Sequence, residues 1–523
     1  MQIRIVAALV LAALLGTTAL AQNAAKENAK DKESDQAIEP KWPDKIYEKN
    51  VHEWLKVIET EKDPALREQA LKVLWNFSPS EVRKLGAKLL LRRMISGGEP
   101  DNGVRIAVID LVGALGMDEP ADITEATRIL SLSANNGASA LRLHAIQALG
   151  RFGPKAYHHI NDLTSDVVMS DSAFEIRQAL AQTLGRIGAS ESGGPNTKAL
   201  NALTILATKD QCAVVRMEAL QSLLLLGPPW SANLKPGSKD PPEYDPKRAQ
   251  DMVEVMKARL APKKGSVATE TDKHMELWYR FVIIRFGVKD DLEEQMTAIA
   301  HHLTDPEASV RIQALEILGR LGDLAAPKLE AIMKLLSDKE LAVRATALMA
   351  LGGIGEKAME TLKGIIRDPK EETEIRVAAL AGLAKMGEKA ENARELVMSI
   401  IEDPMIIQEA TASSIALLDQ ALFTLAAMGV KAQSAIPLLQ NLIVRLDDVK
   451  KKRLETVEYK KFVNNPEFKK MLDKLSPEEK EKLFDNHPED QLKRFVKQAI
   501  HYIEDSTPGH PGGETKPEHK KAK

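Results

Sequence analysis

Residues 310–322 read VRIQALEILGRLG. The chain returns to nearly the same phrase as VRATALMALGGIG at 343–355, IRVAALAGLAKMG at 375–387 and LRLHAIQALGRFG at 141–153. Counted from the arginine, alanine and then leucine or isoleucine stand at +3 and +4, leucine at +7, a small residue at +8 and glycine at +11. Arg105, Arg142, Arg177, Arg216, Arg311, Arg344 and Arg376 each have that glycine, at Gly116, Gly153, Gly188, Gly227, Gly322, Gly355 and Gly387. Adjacent arginines are 37, 35, 39, 33 and 32 residues apart. Self-similarity at this period signals a solenoid of paired helices.

Each position has a physical reason. Residues +3, +4 and +7 share one helical face and form the stripe to be buried. Glycine at +11 is expected to stop the helix in a left-handed cap. The small +8 residue (Gly150, Gly185, Gly319, Gly352, Ala384) lets the next helix come close. An aspartate six before the arginine fits an N-cap of the helix. Asp171/Arg177, Asp210/Arg216, Asp305/Arg311 and Asp338/Arg344 keep that spacing. Between these B helices lie amphipathic A segments, such as PKLEAIMKLLSD at 327–338, KAMETLKGIIRD at 357–368 and ENARELVMSIIED at 391–403.

On these residues the chain resembles HEAT repeats over roughly 44–445, above all the short bacterial variety also found in phycobilin lyase-like proteins. The resemblance implies an all-α, right-handed α-solenoid of about ten helical hairpins. It also implies that the four Asp/Arg pairs build a ladder of ion pairs and hydrogen bonds between neighbouring repeats, and that helix B lines the concave side. Three further pairs depart from the spacing. Asn136/Arg142 carries Asn, Asp368/Arg376 lengthens the gap to eight, and Asp63/Arg67 shortens it to four.

The expected organisation is set by where the pattern holds. Residues 1–21 read as a secretory signal: MQIR supplies a positive charge, Ile5–Leu15 an apolar centre, and Ala19-Leu20-Ala21 a small-x-small cleavage site before Gln22. An uncleaved anchor is the alternative, although the apolar run is short for a span of ~20 residues. Cleavage after Ala21 implies an exported chain, periplasmic or extracellular, with no stable membrane insertion. Residues 22–43 form a disordered linker, 44–227 an N-terminal array and 228–287 a loop insertion with a degenerate repeat. A second array spans 288–445, a charged helical cap 446–505 and a disordered tail 506–523. The insertion opens with six prolines in the nineteen residues 228–246, which excludes helix there. Aligning Gly287 puts Glu276 where the ladder arginine belongs. Leu418 replaces the arginine in the unit ending at Gly429. Ser476, Pro477 and Glu479 spell a capping box in the final segment.

Chemistry is hard to find. Net charge is −3, with 72 Lys and Arg against 75 Asp and Glu, which gives no electrostatic footprint for nucleic acid. The lone Cys212 leaves no intrachain disulfide and no Cys-only zinc site; it reads as a small buried hydrophobe near a helix start, with a reactive thiol as the alternative. His158-His159 and His301-His302 are sequence neighbours that point about 100° apart and make no chelating face. Both pairs are expected late in A helices, in surface or capping roles. His52-Glu53 is one His-Glu motif where the di-iron deoxyhypusine hydroxylases of the HEAT class hold several. Basic, aromatic-rich HEAT-like DNA glycosylases do not suit an exported, mildly acidic chain. No G-x-S-x-G, P-loop or dinucleotide-binding turn occurs. No catalytic residue, metal site or cofactor is therefore expected.

Two rows on helix B remain. At +9 stand Arg151, Arg186, Arg285, Arg320 and Lys385, which either complement helix C-termini or form a basic rail. At +5 stand Asp110, Gln147, Gln182, Gln221 and Glu316, followed by Met349 and Ala381. A polar row implies exposure, since a buried row is apolar. Trp230, Trp278 and Tyr279 make the 228–272 loops a candidate surface, although Trp278 and Tyr279 also suit a core. The leading expectation is a non-enzymatic scaffold that binds a protein or peptide through helix B. The alternatives are a lyase-like or cryptic HEAT enzyme with a concave-face pocket, and a structural envelope component.

Overall fold

The computed structural model describes residues 42–190, 193–226, 246–260, 270–286, 289–409, 411–456 and 488–506. Outside them lie the leader, residues 22–41 of the linker, Gly227, Gly287, Trp230 with most of the 228–272 loops, the 476–479 capping box and the tail beyond Ser506. The fold is an all-α solenoid of paired helices, divided into two compact units, 34–295 and 296–523.

In the first unit the helices run α1 (Val51–Thr60), α2 (Pro64–Leu74), α3 (Pro79–Arg93), α4 (Asn102–Leu115), α5 (Pro120–Asn136), α6 (Ser139–Phe152), the single turns α7 (Ile160–Leu163) and α8 (Asp166–Met169), α9 (Phe174–Ile187), α10 (Thr197–Lys209), α11 (Ala213–Leu226), α12 (Pro246–Leu260) and α13 (Lys273–Phe286). A two-stranded antiparallel ladder, Ala189–Ser190 with Gly193–Pro195, follows α9. After α14 (Lys289–His301), the second unit runs through α15 (Ala308–Leu321), α16 (Leu329–Lys334), α17 (Leu341–Ile354), α18 (Met359–Arg367), α19 (Thr373–Met386), α20 (Arg394–Glu402), α21 (Pro404–Glu409), α22 (Ala412–Ala427), α23 (Ile436–Glu455) and α24 (Pro488–Asp505).

The repeated phrase occupies α6, α9, α11, α15, α17 and α19, the B helices, and α4 and α22 carry its variants. The +3, +4 and +7 residues are fully buried where the phrase is cleanest: Ala314, Leu315 and Leu318, Ala347, Leu348 and Leu351, and Ala379, Leu380 and Leu383 are all 0% exposed. Within each unit a B helix packs chiefly on the next B helix. The contact pairs the small +8 residue with position +6 of its neighbour. A Cβ added to Gly150 would lie 2.8 Å from Thr183 Oγ1, one on Gly185 2.7 Å from Ser222 Cβ, and one on Gly319 2.9 Å from Ala350 Cα. At Gly352 the partner is backbone, with Gly382 O at 2.1 Å. Thr183 and Thr424 sit at +6 and add a bond, donating to the carbonyls of Ile146 (2.8 Å) and Leu380 (3.1 Å) on the preceding B helix.

The stop glycines depart from the expected left-handed cap. Gly153, Gly322 and Gly387 have φ of 58°, 63° and 59° but ψ of −140°, −136° and −133°. That region lies towards the mirror of extended backbone, which is closed to side chains even more firmly than the left-handed helix. Gly188 keeps φ at −76°, because the chain enters the small strand ladder there instead of turning at once. After Gly153, Gly322, Gly387 and Gly429 come seven-residue 3₁₀ segments, so the A helices begin late; after the first three they are short, with residues 327–338 divided into 3₁₀, α and 3₁₀ pieces, whereas the helix after Gly429 runs for 20 residues. The seven-residue segment 153–159 also moves His158 and His159 to the start of their A segment instead of its end, while His302 is buried at 8% exposure.

Helices α23 and α24 pack together in the charged final segment. Leu492, Val496, Ala499 and Ile503, spaced four, three and four apart, form the buried stripe of α24. Lys450–Asp490 and Lys493–Asp447, each at 2.6 Å, flank the packed helices.

Candidate binding face of the B helices

The ladder comes first, because it fixes how adjacent B helices are turned. Asp210 is not an N-cap. It is the residue after α10, and its Oδ1 accepts the Cys212 N–H two residues on at 2.8 Å. Asp171, Asp305 and Asp338 make the same turn with the N–H of Ala173, Glu307 and Glu340. Two residues separate the aspartate from the helix, and an i+2 bond fills that gap.

Each arginine reads two repeats at once. Arg177 Nη1 donates to the carbonyl of its own Asp171 at 2.6 Å, while Nε and Nη2 clasp the carboxylate of Asp210 in the next repeat. Arg311 likewise takes the Asp305 carbonyl at 2.8 Å and the Asp338 carboxylate at 2.9 Å. Within a repeat the pairing is therefore with backbone, and between repeats with charge. Burial works against ionisation of Asp210 and Asp338, but the Arg177 and Arg311 guanidinium groups and the turn N–H bonds outweigh it and hold both carboxyls below the ordinary aspartate range.

The irregular pairs resolve differently from the spelling. Arg67 bonds the carbonyls of Glu61 and Lys62, and Asp63 instead N-caps α2. Glu61, six before Arg67, makes the i+2 turn with Asp63 N–H at 3.0 Å. Glu99, six before Arg105 and 0% exposed, receives Arg67 at 2.9 and 2.6 Å and Arg93 at 3.1 Å. Glu270, six before Glu276, stands 3.6 Å from Arg216 and 3.4 Å from Arg259. All three glutamates make the ladder turn, and Glu99 and Glu270 also receive arginines; a search for aspartate misses them, whereas a carboxylate of either length six before the aligned position finds them. Arg142 bonds the Gly137 carbonyl at 2.8 Å, not Asn136, and pairs with Asp171. Arg344 meets Glu372 at 2.8 Å instead of Asp368, and Arg376 turns to the Ile366 carbonyl at 3.0 Å. Glu276 pairs within its own helix with Arg280 at 2.8 Å.

With +3, +4, +7 and +8 consumed by packing, positions +1, +5 and +9 form the other stripe of each B helix. Gln182, Gln221, Glu316, Arg151, Arg186, Arg320 and Lys385 are exposed, and Asp110, Gln147 and Arg285 are half-buried. Met349 is 7% exposed. Asp110 engages His144 Nδ1 at 2.8 Å on the neighbouring helix. Gln178 Nε2 reaches Glu218 at 3.5 Å. Leu225, at +9 of α11, is 62% exposed, and Phe423, at +5 of α22, 41%. The protein surroundings of Lys385, ahead of its neighbour Arg320, push its ammonium below the ordinary lysine range, and Glu316 opposes the shift. On α22 desolvation raises Asp419 above the ordinary aspartate range.

The aromatic and histidine candidates go mostly to packing. Tyr279 is 0% exposed and donates to the Ala207 carbonyl at 2.5 Å. Trp278 is half-buried against Phe281. Glu53 completes a capping box with Asn50 on α1. His159 contacts Asp162 and Thr127. Cys212 is half-buried at the start of α11. Among the described residues no group of three or more His, Cys, Asp or Glu is arranged to hold a metal ion, and no helix is long and apolar enough to cross a membrane.

This geometry of paired helices tied by an Asp/Arg ladder coincides with the family model for HEAT repeats, which matches residues 126–224 and 296–384. The matched stretches are similar to HEAT repeats. No curated protein matches the sequence. Among solved structures, importin beta is 12% identical with a TM-score of 0.45, covering 89% of this chain and 58% of that one. Kap95p, from a structure with RanGDP, is 12% identical with a TM-score of 0.43, covering 87% and 56%. An engineered protein is 14% identical with a TM-score of 0.32, covering 87% and 98%. The chain thus spans a little over half the length of the two importin-type chains. The B helices leave much of the +5/+9 stripe exposed, at Gln182, Gln221, Glu316, Arg151, Arg186, Arg320 and Lys385, although Asp110 bonds a neighbouring helix.

Proposed function

We propose that this chain is a non-catalytic HEAT scaffold that captures a protein or peptide on its B-helix face, the concave side in HEAT arrays. One observation carries the reading. The ladder and the +6/+8 contacts join successive B helices, whereas the +5/+9 stripe is chemically mixed: amides at Gln182 and Gln221, cations at Arg151, Arg186, Arg320 and Lys385, and exposed Leu225 and Phe423. Exposed amides, cations and isolated large apolar side chains on a regular frame suit recognition of an extended chain. The proposal includes export, which rests on the leader-like residues 1–21.

Photo-crosslinking tests the reading. Benzoylphenylalanine placed at Gln182 or Gln221, in the chain from Gln22 onward, is offered the native exported fraction. A discrete adduct from both positions, absent when the probe replaces the exposed Leu132 of α5, supports it. Equal adducts from all three positions, or adducts from Leu132 alone, place capture elsewhere.

A further inference from the structure

The +5 row of the B helices changes character within the second unit. It is polar as far as Glu316 and apolar from α17 onward, at Met349, Ala381 and Phe423. Phe423 is the only large exposed apolar side chain on α22, but the last helix adds two more. On α24, Phe495 is 45% exposed and Tyr502 51%; they are seven residues apart and share one face. The contacts around them fix how these faces are turned. Thr424 donates to the Leu380 carbonyl, so that flank of α22 lies on α19 and the opposite flank on α24. Lys493 pairs with Asp447 of α23, and Lys493 and Phe495 border the buried stripe of α24 on opposite sides. The flank that carries Phe495 and Tyr502 is therefore the one turned to α22. The two helices run parallel, since a Cβ on Gly429, just past α22, would lie 3.2 Å from Ser506 Cβ, just past α24. Phe423, Phe495 and Tyr502 thus border one surface where α22 meets α24. Aromatic residues make up only 4% of the chain, so three exposed ones on adjoining helices mark a place where a partner sits. Asp419 stands one turn before Phe423 on the same exposed face, and among the described residues it has no hydrogen bond and no ion pair. Lys385 of α19 is at +9 and Asp419 at +1, about 12 Å apart along the helix direction, and Arg494 lies about 100° round α24 from Phe495, away from α22. The surrounding protein raises the Asp419 carboxyl above its ordinary range, so this acid is short of water as well as of a counter-charge.

We propose that this surface is an anchor site for a peptide segment that carries a large apolar side chain beside a lysine or arginine. The apolar side chain covers Phe423, Phe495 and Tyr502, and the cation pairs with Asp419. Charge complementarity selects the occupant: the face offers aromatic rings and one unpaired acid, so an apolar residue with an acidic neighbour is disfavoured. The occupant's identity as a peptide rests on the function proposed above; the aromatic surface itself does not.

The test uses the chain from Gln22 onward with 4-fluorophenylalanine in place of phenylalanine and follows the fluorine resonances. The Phe423 and Phe495 signals are assigned by their loss in Phe423→Leu and Phe495→Leu. Three N-acetylated, C-amidated dipeptides are the probes: phenylalanyl-lysine, phenylalanyl-glutamate and alanyl-lysine. Saturable shifts of both signals are expected with phenylalanyl-lysine, about threefold weaker binding with phenylalanyl-glutamate, and no saturable shift with alanyl-lysine. Asp419→Asn should erase the difference between the two phenylalanyl peptides. Asp419 is exposed, so an unchanged melting curve for that variant excludes unfolding. No saturable shift with phenylalanyl-lysine, an equal response to alanyl-lysine, or a preference for lysine that survives in Asp419→Asn overturns the anchor site. Signals that move with protein concentration alone assign the surface to a second copy of this chain and overturn it as well. The probes are small and the signals lie in the second unit, so these results are independent of crosslinking at Gln182 and Gln221, and either proposal can fail alone.

Discussion

Arg177 and Asp210 stand 33 residues apart in the sequence and meet through two bonds, Nε to Oδ2 at 2.6 Å and Nη2 to Oδ1 at 3.0 Å. Both side chains are mostly shielded, at 15% and 4% exposure. Removing one partner leaves the other charge unmatched in a poor solvent. Arg177→Met should therefore lower unfolding free energy by about 2–4 kcal/mol. The double variant Arg177→Met/Asp210→Asn should recover part of that loss. Urea denaturation of the two proteins checks it, and equal losses would show that the unmatched charge is not the cause.

The same pair sets a pH dependence. Asp210 and Asp338 have folded-state pKa values below the ordinary one, so the unfolded chain binds their protons more readily. Their stabilisation is complete above about pH 5 and is lost as pH falls from roughly 4 through the lower folded values. Wild-type urea midpoints should drop between pH 6 and pH 3.5, and Asp210→Asn/Asp338→Asn should start lower and drop less. Parallel curves for the two proteins would assign the acid sensitivity to other carboxylates.

Gly352 and Gly364 make opposite demands. A Cβ on Gly352 meets the Gly382 carbonyl, whereas one on Gly364, within α18, meets nothing within 4 Å. Gly364→Ala should stabilise by about 0.5–1 kcal/mol, through helix propensity alone. Gly352→Ala should destabilise by roughly 1–3 kcal/mol, because two backbones must separate. Thermal melts of the two variants should move in opposite directions.

At Arg105 the ladder lacks its acid. Nη2 bonds the Asn102 side chain, and the residue six before Arg142 is the exposed Asn136. Asn136→Asp should draw the arginine across and add about 0.5–1 kcal/mol. Combining it with Arg105→Gln should abolish the gain. A stabilisation that survives that second change would be unrelated to the ladder.

The stacking frame was legible in the sequence because it repeats: Ala314, Leu315 and Leu318 stand at the same offsets as Ala347, Leu348 and Leu351, and all are buried. The shape of the turns was not. Glu61, Glu99 and Glu270 take the place of aspartate, and only their position reveals it, since a longer carboxylate reaches the same N–H from a different rotamer. Gly153 and Gly188 share one place in the phrase yet differ in φ, because Gly188 leads into a strand ladder and Gly153 into a 3₁₀ turn.

The ladder also has a direction. Arg142, Arg177 and Arg311 each hold a carbonyl of their own repeat and a carboxylate of the repeat after it, never of the one before. These three joints share one plan, a carbonyl behind and a carboxylate ahead. A lineage can then copy or excise one whole repeat without stranding a charge, as long as the first and last joints are kept. Array length becomes a quantity that selection can adjust in steps of one repeat, and a face can be lengthened to match a longer partner while the joints stay as they are.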